Sequence, residues 1–395
     1  MDILKIIGRK ESLFAQDVTC VENDLRDIVK KSNFLIIGGA GSIGKAVTKE
    51  IFVRKPNLLH VVDISENNLA ELVRDIRSSL GYIEGEFKTF ALDCGSSEYE
   101  FFVSSNSTYD FVLNLSAMKH VRSEKDPFSL MRLINVNILN TLKTLELAKK
   151  NKTKKYFCVS TDKATNPVNM MGASKRIMEM FLMQEEDSIE ISTARFANVA
   201  FSDGSLLHSF NQRFIQKHPL SGPNDVKRYF VSAKESGELC LMSCILGENK
   251  DIFFPKLSEK IKLTSFPEIA KRFLNEKGYE PYECSSEIEA RTKIDKLISQ
   301  KKWPCYFSAS DTSGEKDTEE FFTSENILDN EKFENIGIIK NKINPDDPEL
   351  KNFLKRIEQF KISNKWSKKD LVKLFEETVK EFNHLETSKN LDEKM

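Results

Sequence analysis

An apolar run, Asn33-Phe-Leu-Ile-Ile37, passes directly into Gly38-Gly-Ala-Gly-Ser-Ile-Gly44, and this junction limits the possible folds most. The run has the length of a buried strand, and after the glycines Ala46, Val47, Ile51 and Phe52 recur at helical spacing. Between a strand and a helix, glycines at 38, 41 and 44 allow a tight turn and a close approach of the backbone to a pyrophosphate. That group then rests on the positive end of the helix, beside Ser42 and Ile43. Asp63 closes the next strand, Leu58 to Val62, about 20 residues on, where a carboxylate accepts hydrogen bonds from an adenosine ribose. A carboxylate there repels a 2′-phosphate and no Arg follows at once, so NAD is expected over NADP. Asp93, closing a third strand, is a candidate adenine contact, with a plain turn cap as the alternative.

The rhythm continues with a helix over about Asn67 to Leu80 and strands over Phe87 to Leu92 and Phe111 to Leu115. A long helix over about Leu130 to Lys149 and a strand over Tyr156 to Val159 follow. This alternation predicts an α/β fold, a Rossmann-type doubly wound parallel sheet covered on both faces. The NAD-binding domain is expected over 32–200, with a return segment at 225–250. Loop signals at Asp203-Gly204 and Ser221-Gly-Pro223 make 201–330 a smaller substrate-binding lobe. Residues 1–31 read as a polar arm with a short helix around Glu22 to Lys31. Residues 331–395 read as a helical extension in which Ser367-Lys-Lys-Asp370 fits a capping box. There Leu371, Leu374, Phe375 and Phe382 form one face, expected to dock on the body or on a partner subunit, and the last ten residues are expected to be disordered.

A net charge of −1 gives no electrostatic footprint for nucleic acid. No apolar run approaches the roughly 18 to 20 residues of a membrane span, and Met1 to Lys10 has no secretory-signal pattern. The seven cysteines are scattered without a Cys-x-x-Cys, as expected of free thiols in a reducing cytoplasm. Cys240 and Cys244 sit at helical spacing in an apolar stretch and read as core. The five histidines are far apart in sequence, so no metal site is expected.

Ser160-Thr-Asp-Lys-Ala164 and Asn166-Pro-Val-Asn-Met-Met-Gly-Ala-Ser-Lys175 resemble the UDP-N-acetylglucosamine 4,6-dehydratases, the polysaccharide-biosynthesis branch of the extended short-chain dehydrogenase/reductases. Further matches follow in order along most of 33–325. They are Ser116-Ala-Met-Lys-His-Val121, Asn137, Arg195-Phe-Ala-Asn-Val199, Arg228, and Gly314-Glu-Lys316 with Glu319-Glu320. The resemblance implies a redox-neutral reaction. Hydride leaves sugar C4 for NAD, water is lost across C5 and C6, and hydride returns to C6.

By the same resemblance Thr161 would hydrogen-bond O4, Asp162 would protonate the leaving hydroxyl and Lys163 would take the C5 proton. Lys163 needs a lowered pKa for that role, which burial or a nearby cation such as Lys119 could supply. Lys175 would hold the nicotinamide ribose, and Ser116 and Ala117 would line the cofactor. Lys119 is a candidate substrate or cofactor contact, Asn198 and Arg228 candidate substrate contacts, with a surface lysine, a buried structural Asn and a surface ion pair as the respective alternatives. Two departures stand out. Met171 replaces the usual Tyr, and a thioether carries no proton, which leaves the O4 proton acceptor open, with Asp162, directly or through water, as the hypothesis. Asp311-Thr-Ser-Gly-Glu-Lys316 lacks the Arg of the related Arg-Pro-Gly-Glu-Lys, which leaves both UDP and GDP as candidate nucleotides.

The alternatives are an NAD-dependent nucleotide-sugar epimerase, which normally relies on the absent Tyr, and a catalytically silent NAD-binding module. Related enzymes are sometimes carried on membrane-spanning domains, and this chain is expected to be a soluble, cytoplasmic form. Helices flanking Met171 to Lys175 are expected to pair in a homo-oligomer.

Overall fold

The computed structural model describes residues 1–384 apart from 107, 186–187, 259–260, 311–318 and 342–346. Two helices, α1 (Ile3–Ile6) and α2 (Ala15–Lys30), precede a regular alternation of strands and helices. It runs β1 (Asn33–Ile37), α3 (Ser42–Phe52), β2 (Leu58–Asp63), α4 (Glu66–Ser79), β3 (Glu86–Ala91), α5 (Ser97–Ser105) and β4 (Phe111–Asn114). Then come α6 (Pro127–Ile134), α7 (Asn140–Lys150), β5 (Lys155–Val159), α8 (Met170–Gln184) and β6 (Glu190–Ala194). Most of these strands have apolar side chains on both faces, which drives helices onto both sides.

The sheet order is β3-β2-β1-β4-β5-β6, extended by Asp251–Pro255, Ile336–Lys340 and Ile327–Asp329. Every pairing from β3 to Asp251–Pro255 is parallel, and Ile336–Lys340 runs antiparallel to both neighbours. The chain leaves β1 towards β2 and later returns to β4 on the opposite side. That reversal opens a crevice at the carboxyl ends of β1 and β4, where such sheets bind dinucleotides. This is the expected Rossmann-type arrangement.

Two segments depart from the sequence reading, and a third extends beyond it. The first 31 residues are not a polar arm, because Leu13, Phe14, Leu25 and Val29 are buried in the main core and Ile6 and Ile7 in the core of the smaller lobe. The return segment at 225–250 holds the buried helix Ala233–Leu246, which packs on α3 with Cys240 and Cys244 in the core, and a strand follows at Asp251–Pro255. The 331–395 extension begins with a strand, because the β-branched run at Ile336, Ile338 and Ile339 pairs with Asp251–Pro255.

Helices Pro348–Ser363 and Lys368–Thr378 then fold back on α6 and α8, with the Ser367–Asp370 capping box present. They bury Leu350, Phe353, Leu371, Leu374 and Phe375 against Leu130, Ile134, Ile177 and Phe181. The Leu371, Leu374, Phe375 and Phe382 face, expected to dock on the body or on a partner subunit, packs on the body of this chain. The last ten residues, 386–395, expected to be disordered, lie outside the described residues.

The smaller lobe contains a helix at Leu206–Ile215, between the two loop signals, and a parallel sheet of Glu280–Glu283, Lys302–Ser308 and Leu220–Pro223. Phe214 stacks on Trp303 at 4.5 Å in its core. Two short pairings join lobe and body. Asn198–Val199 lies parallel to Phe230–Val231, and Lys227–Arg228 lies antiparallel to Thr264–Ser265. Among the described residues no helix is long and apolar enough to cross a membrane.

Candidate functional site

The glycine loop is shaped by close backbone contacts. Gly38 has a φ of +73°, and a Cβ on Gly44 would overlap the Gly38 carbonyl and the Gly39 backbone. Gly41 is the N-cap of α3 and offers no side chain to its first N–H groups. The Asp63 carboxylate accepts from the Ala40 N–H at 3.0 Å and from the Ser65 N–H at 2.9 Å, so it is tied to the glycine loop. Ser42 Oγ donates to Asp203 Oδ2 at 2.9 Å and accepts from the Asp203 N–H at 2.8 Å, while Ile43 packs on the main core.

Asp93 accepts from the Gly95 N–H at 2.9 Å and pairs with Arg132 at 3.6 Å, the contacts of a turn cap. Ser116 donates through its N–H and Oγ to Asn114 Oδ1, at 3.1 and 2.8 Å, and Ala117 is exposed. A Cβ on Gly38 would strike the Ser116 backbone, so these two loops share one wall of the crevice.

Thr161, Asp162 and Lys163 converge on one carboxylate. Thr161 Oγ1 donates to Asp162 Oδ1 at 2.8 Å, and Lys163 Nζ lies 3.2 Å from each Asp162 oxygen. Asp162 is 3% exposed and Lys163 half-buried. A Cβ on Gly172 would overlap the Lys163 carbonyl oxygen, so the start of α8 packs directly on the tripeptide.

Met171 is buried in the first turn of α8. Lys175 is buried one turn on, donating to the Val159 carbonyl at 3.0 Å, and burial lowers its pKa against the pull of Cys158 and Glu179. Asn137 sits in a single π turn between α6 and α7. It accepts from the Met118 N–H at 2.9 Å and donates to the Met118 carbonyl at 3.0 Å and Ser174 Oγ at 2.9 Å. It thus fixes the Lys119 loop to the helix that carries Lys175. Such π turns are frequent at functional sites.

Two neighbouring cavities meet at Val121, Asn198 and Phe266. The smaller, about 170 Å³, is lined by Asp162, Lys163, Arg228 and Glu319 among others. The larger, about 510 Å³, takes Lys119, Arg122, Arg213 and Tyr306. Lys119 Nζ is 3.4 Å from Ser202 Oγ, and desolvation by the cleft lowers its pKa while Asp203 opposes the shift. Arg228 is buried, with Nη1 donating to the Lys227 carbonyl at 3.0 Å.

The structure thus brings Asp162, Lys163, Asn198 and Arg228 around one small cavity and sets Lys119 in the adjoining one. Met171 and Lys175 line neither. Gly314, Glu315 and Lys316 lie outside the described residues.

Glu319 is a site residue to which the sequence assigned no role. It accepts from the Tyr229 N–H at 2.8 Å and from the Asn198 amide, and Arg228 Nε lies 3.9 Å away. Burial, then the charge of Asp162, pushes its pKa up to about 7. The Glu319-Glu320 pair was visible in sequence, but local pattern does not separate a buried carboxyl from a solvated one.

The profile of a family described as polysaccharide biosynthesis protein matches residues 34–341. An uncharacterized membrane protein, MJ1061, of Methanocaldococcus jannaschii is 28% identical over 70% of this chain and 82% of its own length. A UDP-N-acetylglucosamine 4,6-dehydratase (inverting) of Campylobacter jejuni is 28% identical over 59% of this chain and 69% of its own. A UDP-glucose 4-epimerase of Rickettsia bellii is 28% identical over 56% and 65%.

Among solved structures, Pen from Bacillus thuringiensis matches with a TM-score of 0.62 and 20% identity, covering 80% of this chain and 89% of that one. WbmF of Bordetella bronchiseptica, in complex with NAD+ and UDP, gives 0.51 and 17% over 64% and 80%. At these identities the two structures establish the fold.

Proposed function

Because this chain belongs to the polysaccharide biosynthesis protein family, we propose that it is an NAD-dependent nucleotide-sugar 4,6-dehydratase. Its substrate in this reading is UDP-N-acetylglucosamine or a similar nucleotide-linked N-acetylhexosamine. The observation that carries the reading is the convergence of Thr161 and Lys163 on the Asp162 carboxylate at the wall of a cavity. The dehydratase name of the Campylobacter jejuni relative and the NAD+ and UDP bound by WbmF point the same way.

The residues present suit NAD. Gly38, Gly39 and Gly44 have no room for a Cβ, which keeps the turn tight at the N-terminus of α3, and Asp63, tied to the Ala40 N–H, would meet the ribose. Gly38, Gly41, Gly44 and Asp63 would hold the adenosine half, and Ser116, Ala117 and Lys175 the nicotinamide half. When bound, NAD supplies a reversible hydride acceptor.

Thr161 orients the sugar O4 and Asp162 receives its proton, a task Met171 cannot perform. Asp162 returns that proton to the C6 hydroxyl as water leaves, and Lys163 removes the C5 proton and, after exchange with solvent, returns one to C5 to complete the 6-deoxy sugar. Arg228 and Lys119 offer positive charge to the diphosphate.

A UDP-glucose 4-epimerase has the Rickettsia bellii relative in its favour but needs a proton-carrying side chain where Met171 stands. Incubation of purified protein with UDP-N-acetylglucosamine and GDP-N-acetylglucosamine, followed by mass spectrometry in deuterated water, separates these readings. A dehydratase gives a product lighter by one water with deuterium at C5 and no accumulating NADH, whereas an epimerase leaves the mass unchanged. Asp162→Asn should lower turnover by about 10²- to 10⁴-fold, the usual worth of a general acid–base group. A nearly active Asp162→Asn would refute the assignment.

A further inference from the structure

The segment from Ser160 to Met170 leaves the sheet, carries Thr161, Asp162 and Lys163, and ends in α8. Connecting loops are ordinarily the softest part of a site. Here the segment is tied down along its length. Ser160 Oγ donates to Glu179 at 2.6 Å, and Arg195 Nη1, whose guanidinium is paired with the same glutamate, donates to Thr165 Oγ1 at 2.9 Å.

The next two ties reach the far end of the chain. The Asn383 N–H donates to the Pro167 carbonyl at 3.2 Å. The Met170 N–H, an orphan donor at the start of α8, donates to Glu124 Oε1 at 2.8 Å. Glu124 Oε2 is held in turn by His384 Nε2 at 3.0 Å, with side chains 8% and 7% exposed.

This terminal stretch is itself anchored. Phe382 is buried beside Phe375, at 6.5 Å between ring centres, and Glu381 pairs with Arg176 of α8 at 2.8 Å. Residues 381–384 lie beyond the 34–341 stretch that matches the family.

We infer that residues 381–384 form a latch that positions the Thr161–Lys163 loop, with His384 acting through Glu124 and the Asn383 backbone holding Pro167. His384 and Asn383 are positioning residues, since neither lines the cavity. A carboxylate free of His384 can swing, and the Met170 N–H it fixes is the hinge between the loop and α8. The inference rests on the reading of Thr161–Lys163 as the reacting tripeptide.

The test compares His384→Ala with His384→Gln in the full chain, because a glutamine amide can still donate to Glu124. Three quantities are read: amide hydrogen exchange of a peptide covering 160–170, NAD affinity, and kcat against KM on the nucleotide sugar. The latch predicts that His384→Ala speeds exchange of that peptide several-fold and lowers kcat about tenfold, as small misplacements of reacting groups do. KM, NAD affinity and exchange in β1 and β5 should stay within about twofold of the parent, and His384→Gln should recover most of kcat.

Parental exchange and kcat in His384→Ala overturn the latch. Faster exchange throughout the sheet also overturns it, because the defect is then one of the fold. If the parent itself dehydrates neither nucleotide sugar, the functional reading fails, and exchange over 160–170 alone still decides whether the latch exists.

Discussion

A carboxyl group without water, facing another carboxylate across a small cavity, keeps its proton to high pH. Glu319 is in that position, pushed up to about 7 by burial and by Asp162, against the pull of Lys163, the Tyr229 N–H and Arg228. Below that pH it is neutral and leaves the Arg228 guanidinium to a diphosphate. Above it, the new charge competes for Arg228 and adds repulsion beside Asp162. The expected result is a kcat/KM profile that falls as pH rises through about 7, and a Glu319→Gln variant without that limb.

Stability should move in the same sense. A carboxyl group raised in the folded state stabilises fully below its ordinary value of 4.5, and that contribution is lost as pH rises through about 7. Urea midpoints that fall over this window in the parent but not in Glu319→Gln would bear this out. Identical pH profiles for the two proteins would sink the assignment. Thr161 to Lys163 were legible because three reactive side chains follow a strand end in unbroken sequence. Glu319 was not, because its character comes from Asp162, Asn198 and Arg228, which are distant in the chain.

At the scale of elements, strand and helix boundaries around the crevice matter less than how closely α8 approaches the loop before it. Gly172 allows that approach, since any Cβ there meets the Lys163 carbonyl oxygen, while its N–H is capped by Asn169 Oδ1 at 2.8 Å. Gly172→Ala must push either the helix or the tripeptide, an overpacking cost of roughly 1–3 kcal/mol. Turnover should fall at least about tenfold while the protein still melts cooperatively. Circular dichroism melts beside initial rates check this, and a fully active alanine variant would show that the contact can relax.

The strands β1, β2, β4 and β5 were readable because each is a short, largely apolar run closed by polar or glycine residues. Ile336–Lys340 was harder, because its partner Asp251–Pro255 is remote in sequence and only the pairing makes it a strand. The amphipathic α2 was read as a short helix because its apolar positions, Val18, Val21, Leu25 and Val29, are diluted by charge.

At the scale of the molecule, the cavities lie between body and lobe, with Asn198 and Lys119 from one side and Phe266 and Tyr306 from the other. The first 31 residues help to fix that relation. Ile6 and Ile7 sit in the lobe core with Phe273 and Trp303, and Leu25 and Val29 sit in the main core with Phe34 and Phe52. The chain crosses between the two cores at Arg9, which pairs bidentately with Glu235 at 2.6 and 2.5 Å and donates to the Phe230 carbonyl at 3.3 Å.

Glu235 has no exposed surface and also accepts from the N–H groups of Leu13 and Ser232, each at 2.6 Å. Burial alone would raise this carboxyl, but Arg9 and the two backbone donors outweigh it and hold Glu235 below its ordinary range. Its contribution is therefore present above pH 4.5 and lost as acid protonates the folded state. Arg9→Ala strands the carboxylate in the core, a change that typically costs about 3–5 kcal/mol. Urea unfolding near neutral pH should show that loss, and it should shrink in acid, where Glu235 is protonated whether or not Arg9 is present. A variant within about 1 kcal/mol of the parent at neutral pH, less than removal of a buried partner costs, would mean that water reaches Glu235 and that the crossing is not pinned there.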